Sequence, residues 1–292
     1  MGSGTRSRLH SADVAIPIRV RVAKFVLGAV VFYGVLVAVL YLIQRSMMYF
    51  PWTDAPVPAE SGVPEMRSVN LATADGLTLT SWYFPASAGQ PTVVFFHGNA
   101  GHIGHRGFKG RVFLDAGFGL VLVGYRGFGG NPGRPDETGL YADGRTALLF
   151  LAQSGVPADR LVLYGESLGT GIATQLALEA ARNGSPVGAV VLEAPFSSAA
   201  AAAQVHYPYL PAYWMLKDRF ASIDKISAID APLMVVHGER DGVIPIGMGR
   251  ELFAAARDPK ESLWLPDGGH NDLYEHGVAP AIVAFIRGHV ER

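Results

Sequence analysis

The stretch Leu161-Val162-Leu163-Tyr164-Gly165-Glu166-Ser167-Leu168-Gly169-Thr170-Gly171 constrains this chain more than any other. Residues 161–164 are rich in β-formers, and Ile172–Arg182 has the composition of a helix. The pattern predicts strand, sharp turn and helix, the context in which G-x-S-x-G marks an exposed nucleophile. A chain with 35 glycines offers many chance turns, so the context carries the reading rather than the bare pattern. Such a turn strains the serine backbone, and side chains at Gly165 or Gly169 would collide with the adjoining strand and helix. The Ser167 hydroxyl then projects at a helix N-terminus, where backbone N–H groups and the helix dipole favour developing negative charge.

Composition narrows what that serine can serve. Without its N-terminal segment the chain keeps about 240 of its 292 residues, which suits one α/β domain. With 24 basic and 25 acidic residues the net charge is -1, and no Lys/Arg run lies inside the domain. Nucleic acid is therefore not an expected partner. The absence of cysteine excludes a thiol nucleophile, disulfides and thiolate metal sites. Apolar residues make up 49% of the chain, and one stretch explains much of that excess.

Phe25 to Ile43 is 19 residues without a charge and without a polar face. As a helix rising 1.5 Å per residue, it is about long enough to cross a hydrocarbon core of ~30 Å. It exceeds the ~7–15-residue core of a secretory signal, and no A-x-A site follows it. An uncleaved anchor in the lipid bilayer is the expectation. Arg6, Arg8, Arg19, Arg21 and Lys24 precede the span, and only Arg45 follows closely. The positive-inside rule then puts the N-terminus in the cytoplasm and the large domain on the extracytoplasmic side. Met47–Trp52 suits either an interfacial aromatic belt or a strip packed under the domain. Pro51, Pro56, Pro58 and Pro64 suggest an extended connector.

Beyond it, Met66–Ala72 and Leu77–Phe84 alternate across Asp75-Gly76 as a hairpin. Thr92–Phe96, Leu120–Gly124, Ala189–Glu193, Leu233–Gly238 and Ser262–Leu265 are short apolar runs, as strands buried on both faces require. Helices are predicted up to about Ala116 and over Thr138–Gln153, Met248–Arg257 and Asp272–His289, with the alanine run Ala199–Ala203 also helical. Strands alternating with helices imply a mostly parallel sheet covered on both faces.

A serine hydroxyl needs a neighbouring base, and the base needs a group that orients it. Ligands gather at the carboxyl ends of such strands. Asp241 follows Leu233–Gly238, and His270, after two glycines, follows Ser262–Leu265. Glu193 and Glu239 are rivals for the acid, each at or near a strand end. Among the other histidines, His276 and His289 fall on the closing helix and read as surface residues, and His237 reads as a satisfied core residue. His102 and His105 have i, i+3 spacing but no third ligand, so no metal site is expected. His97-Gly98-Asn99 follows the first parallel strand. A backbone N–H there, with that of Leu168, makes a pair of donors suited to a tetrahedral oxyanion. Neither a dinucleotide fingerprint nor a phosphate loop is present, and no cofactor is expected.

H-G-N-A-G, Y-R-G-F-G-G-N-P-G, G-E-S-L-G-T-G, E-A-P-F, H-G-E-R-D-G-V-I-P and G-G-H-N-D-L-Y, in this order, resemble the α/β-hydrolase superfamily. More narrowly they are similar to its membrane-anchored branch, which includes lipid hydrolases and protein depalmitoylases. The resemblance runs from about Arg45 to the C-terminus. It implies Ser167 as nucleophile, Asp241 as acid, His270 as base, and Asn99 and Leu168 as oxyanion donors. The depalmitoylases of that branch attach through palmitoylated cysteines, whereas this chain has none and carries an apolar span. In the enzymes it resembles, the segment after the strand ending at Glu193 is a substrate cap. Here that is Phe196–Phe220, whose Tyr207, Tyr209, Tyr213 and Trp214 suit an acyl chain or an aromatic acid, or simply cover the core.

The expected organisation is a basic segment over 1–24, a transmembrane helix over 25–43, a connector over 44–65, and an α/β-hydrolase catalytic domain over 66–292 with its cap at 196–220. The expected activity is hydrolysis of a carboxylic ester or thioester of a small-molecule or lipid-like acyl substrate. Protein partners are not legible. Amide or peptide hydrolysis with the same residues, and a non-catalytic receptor or membrane scaffold on the same fold, are the alternatives.

Overall fold

The computed structural model describes residues 17–290; Arg6 and Arg8 lie outside them. The chain divides into two units, residues 1–43 and 44–292. The first holds most of helix α1 (Ile18–Met48), 31 residues with none buried. The apolar run 25–43 is its middle. The helix begins before that run, so Arg19, Arg21 and Lys24 lie on it, and continues past it through Met48.

The second unit follows in order as β1 (Phe50–Pro51), β2 (Arg67–Ala72), β3 (Thr78–Phe84), β4 (Thr92–Phe96) and β5 (Ala100–Gly101). Then come α2 (Gly107–Asp115), β6 (Gly119–Leu122), α3 (Glu137–Gln153), β7 (Leu161–Glu166), α4 (Leu168–Arg182) and β8 (Ala189–Glu193). Segment 196–220 supplies α5 (Ala199–His206) and α6 (Ala212–Met215), and β9 (Leu233–Gly238), α7 (Ile246–Ala255), β10 (Lys260–Leu265) and α8 (Val278–Val290) complete the unit.

The main sheet has 8 strands in the order β10-β9-β8-β7-β4-β6-β3-β2. From β10 to β6 all neighbours are parallel, and β3 and β2 extend the sheet antiparallel. It is the mostly parallel sheet of an α/β-hydrolase fold. Side chains alternate between its faces. Val94, Phe96, Leu163, Val190, Leu192 and Val235 share one core with Leu140 of α3 and Ile172 and Leu176 of α4. Their neighbours Val93, Phe95, Val162, Tyr164, Val191 and Val236 share the other with Phe113 of α2 and Ile282 and Ile286 of α8. This two-sided burial is why the strands read as continuous apolar runs.

One expectation changes. Residues 273–277 form turns, and Gly277, at φ 78°, separates them from α8; His276 therefore precedes the closing helix instead of lying on it. The proline-rich connector packs on the domain, as one of the two readings of Met47–Trp52 suggests: Tyr49 and Val63 are buried, and β1 pairs with β5. Its apolar residues gain more by burial, roughly 1.5–3 kcal/mol for a large side chain, than an exposed tether offers.

Candidate active site

β4 lies between β6 and β7, and the helices that follow β4 and β7 pack on opposite faces, α2 through Phe113 and α4 through Ile172. The diverging connections leave a crevice beyond the carboxyl ends of β4 and β7, where ligands bind in sheets of this kind. Ser167 stands at that point. Its backbone is at φ 51°, ψ -114°, a conformation that costs about 1–3 kcal/mol and persists only when its surroundings impose it. They do: the Ser167 N–H donates to the Glu193 carbonyl at 2.9 Å, and the Ser167 carbonyl accepts the Thr170 N–H at 3.0 Å and the Thr170 hydroxyl at 2.6 Å. A Cβ on Gly169 would lie 2.0 Å from the Phe96 carbonyl oxygen, and one on Gly165 2.5 Å from the Gly169 carbonyl oxygen. Leu168 opens α4, so its N–H has no intrahelical acceptor.

His270 reaches the serine from the loop after β10, with Nε2 3.0 Å from Ser167 Oγ and Nδ1 2.7 Å from Asp241 Oδ2. A carboxylate accepts, so Nδ1 carries the hydrogen and Nε2 presents its lone pair to the serine hydroxyl. Asp241 is shut off from solvent, and its Oδ1 accepts the N–H groups of Val243 and Ile244, each at 2.8 Å. Burial alone raises the pKa of its carboxyl. Hydrogen bonds from His237, His270 and Ile244 more than reverse that and hold it far below the usual carboxylate range.

The rival carboxylates are engaged elsewhere. Glu239 bonds Arg250 at 2.8 Å on the surface. Glu193 lies beneath the elbow, bonded to Lys109 at 2.7 Å and to the Tyr164 hydroxyl. Lys109 also bonds Glu166 at 3.0 Å, and Arg106 grips Glu166 at 2.7 Å. This buried ion cluster was not legible in the sequence, because one lysine in the short mixed helix α2 carries no pattern. His237 was read as core and is buried, but its Nε2 meets both the Ile244 carbonyl at 2.9 Å and Asp241 Oδ2 at 3.1 Å. Its i, i+4 spacing to Asp241 was the available signal.

Gly98 runs close past the elbow: a Cβ there would lie 3.5 Å from Ser167 Cβ and 3.3 Å from Glu166 Oε1. Asn99 follows it. The cap aromatics face outward, with Tyr209 90% and Trp214 81% exposed and Tyr207 and Tyr213 also exposed. Tyr213 packs edge-on to Trp214, with Arg219 over its ring. His102 and His105 stack at 4.0 Å, and His102 bonds Asp54 at 3.0 Å. Among the described residues no group of three or more metal-ligating side chains is arranged to hold an ion.

The serine aminopeptidase S33 family (Hydrolase_4) matches residues 88–223. The chain is 39% identical over 262 residues to the uncharacterized protein Rv2307c of Mycobacterium tuberculosis, covering 88% of this chain and 89% of the relative. It is 28% identical to the lysophosphatidylserine lipase ABHD12 of Danio rerio, covering 82% and 73%. The fold is similar to that of the Pyrococcus furiosus esterase Pf2001, with a TM-score of 0.66 and 17% identity over 83% of this chain and 98% of that one. A parallel sheet of this order, relatives aligned along most of its length and a lipid hydrolase among them identify the chain as a hydrolase of the α/β-hydrolase superfamily.

Proposed function

We propose that the protein is a membrane-anchored serine hydrolase that cleaves a carboxylic ester or thioester of a lipid-like acyl group through an acyl-enzyme on Ser167. The observation that carries this is the unbroken chain from Ser167 Oγ to His270 at 3.0 Å and on to Asp241 at 2.7 Å. Ser167 Oγ attacks the acyl carbonyl while His270 Nε2 takes the hydroxyl proton. The N–H groups of Asn99 and Leu168 meet the oxyanion, and such a donor contributes ~2.7–4 kcal/mol to the transition state. The imidazolium then protonates the leaving alcohol or thiol, and His270 next activates the water that frees the acid. Asp241 stays ionised throughout and holds the imidazole tautomer. No cofactor enters these steps.

Helix α1, at 31 residues, is about 46 Å long and exceeds a hydrocarbon core of ~30 Å. In our reading it spans the bilayer, with its basic N-terminal side in the cytoplasm and the domain outside. The lipase among the relatives makes a lysophospholipid ester the first substrate to try, with the cap aromatics Tyr207, Tyr209, Tyr213 and Trp214 on its acyl side. The aminopeptidase description of the matching family favours amide cleavage as the second reading. Rates on p-nitrophenyl esters and aminoacyl anilides separate the two.

The test is fluorophosphonate labelling of membranes that hold wild type, Ser167→Ala or His270→Ala. Labelling of wild type alone is expected, together with loss of hydrolysis in Ser167→Ala without loss of stability. Normal turnover by Ser167→Ala would refute the assignment.

A further inference from the structure

The segment that leaves α1 is laced to the loop after β4. The Asn99 side chain donates through Nδ2 to the Met48 carbonyl at 2.7 Å, and the Asn99 carbonyl accepts the Phe50 N–H at 2.8 Å. One residue on, β1 and β5 pair in parallel, with Phe50 opposite Ala100 and Pro51 opposite Gly101. The Trp52 N–H donates to the Gly101 carbonyl at 3.1 Å, and the Trp52 carbonyl accepts the Gly129 N–H at 2.7 Å. The strip is also pinned at its start. Arg45 makes paired bonds of 2.8 and 2.9 Å to the buried carboxylate of Asp218, which takes a third from the Tyr49 hydroxyl at 3.1 Å.

A peptide N–H serves an oxyanion well only when its direction is set before the charge forms. Within the loop, His97 Nδ1 bonds the Gly98 carbonyl at 2.8 Å and so fixes one edge of the peptide that carries the Asn99 N–H. Gly98 has no side chain to pack and little room for one beside Glu166 and Ser167. The other side of Asn99 is held from outside the loop: its side chain meets Met48, 51 residues earlier, and its carbonyl meets Phe50, in the same strip.

We propose that Met48–Phe50 is a positioning element of the active site, which aims the Asn99 N–H at the oxyanion. The inference rests on the reading of Asn99 as an oxyanion donor. It makes the exit of the apolar helix part of the catalytic geometry, beyond any role as a tether.

The test uses the full chain in detergent. Phe50→Pro deletes the N–H that meets Asn99. Phe50→Ala keeps that N–H and removes only the half-exposed ring. Asn99→Ala deletes the bond to Met48 and keeps the donor N–H. The readouts are kcat and KM on p-nitrophenyl butyrate and the affinity for a trifluoromethyl ketone. In that adduct Ser167 Oγ bonds the ketone carbon, its proton passes to His270, and the former carbonyl oxygen becomes the oxyanion. Since losing a donor outright costs about 10²–10³ in kcat, misaiming one in Phe50→Pro or Asn99→Ala should cost roughly tenfold. Ketone affinity should fall by a similar factor, with KM within about twofold, while Phe50→Ala matches wild type. If Phe50→Pro does not fold, Asn99→Ala carries the decision. Wild-type kcat and ketone affinity in Asn99→Ala, or equal losses in Phe50→Ala and Phe50→Pro, would overturn the inference and leave the Ser167 chemistry standing. Failure of folded wild type to bind the ketone or turn over ester would overturn both.

Discussion

Glu166 and Glu193 are register partners on β7 and β8, so two buried carboxylates stand side by side beneath Ser167. Lys109 bridges them and Arg106 adds a second cation. Burial lowers the Lys109 pKa, but attraction to Glu193 and Glu166 outweighs it and keeps the ammonium charged. Burial likewise raises Glu166, and Lys109 and Arg106 bring it below its ordinary value. Breaking a buried ionic set by removing one partner typically costs ~3–5 kcal/mol, so Lys109→Met should lower the urea midpoint by a corresponding amount. A change under about 1 kcal/mol would mean that water or Arg106 already neutralises the pair.

His97 is a second residue whose burial has a measurable sign. Burial, then repulsion from Arg106, lowers its pKa from 6.5 to about 3. Between those values the unfolded chain binds a proton that the folded chain refuses, so stability falls as pH drops through that window, by up to about 1.4 kcal/mol per unit. Urea midpoints at several pH values should show a shallower slope for His97→Gln than for wild type. Equal slopes would assign the acid lability to other groups.

At the scale of elements, the elbow depends on strand β7 and helix α4 meeting the end of β4 without a gap. The strain at Ser167 is a local cost that this packing sustains. Because a Cβ on Gly169 would lie 2.0 Å from the Phe96 carbonyl oxygen, and backbone cannot swing aside, Gly169→Ala should displace α4 from β4. The expected result is loss of fluorophosphonate labelling together with a lower unfolding temperature; full labelling would show that the helix can shift at little cost. Elements buried on both faces were the most legible: β8 and β9 have the limits that their apolar runs suggest. The start of α8 was not, since the residues before it include helix formers and only the left-handed Gly277 interrupts them. For the connector, prolines mark extended chain equally well whether that chain is bound or not, so its packing on the domain is decided by the fold.

For the molecule as a whole, α1 has the length and composition of a bilayer span, while the second unit carries the sheet and the crevice. Anchoring by α1 predicts a protein that stays in the membrane pellet at alkaline pH and leaves it only with detergent. Release by carbonate would reduce the helix to a peripheral or cleaved segment. The elbow, the both-face-buried strands and the apolar span were all readable along the chain, because turn chemistry, periodicity and hydropathy act over a few neighbouring residues. Strand-end position also favours Asp241 as the partner of His270, but its contacts were not readable. Asp241, Glu193 and Glu239 all lie at strand ends; the fold sets β9 beside β10, turns Glu193 toward Lys109 and pairs Glu239 with Arg250, which leaves Asp241 for His270. The same holds for His237 behind Asp241 and for Met48 and Phe50 on Asn99. Such contacts join residues through their places in the folded sheet, and no local property of the sequence encodes a distance across it.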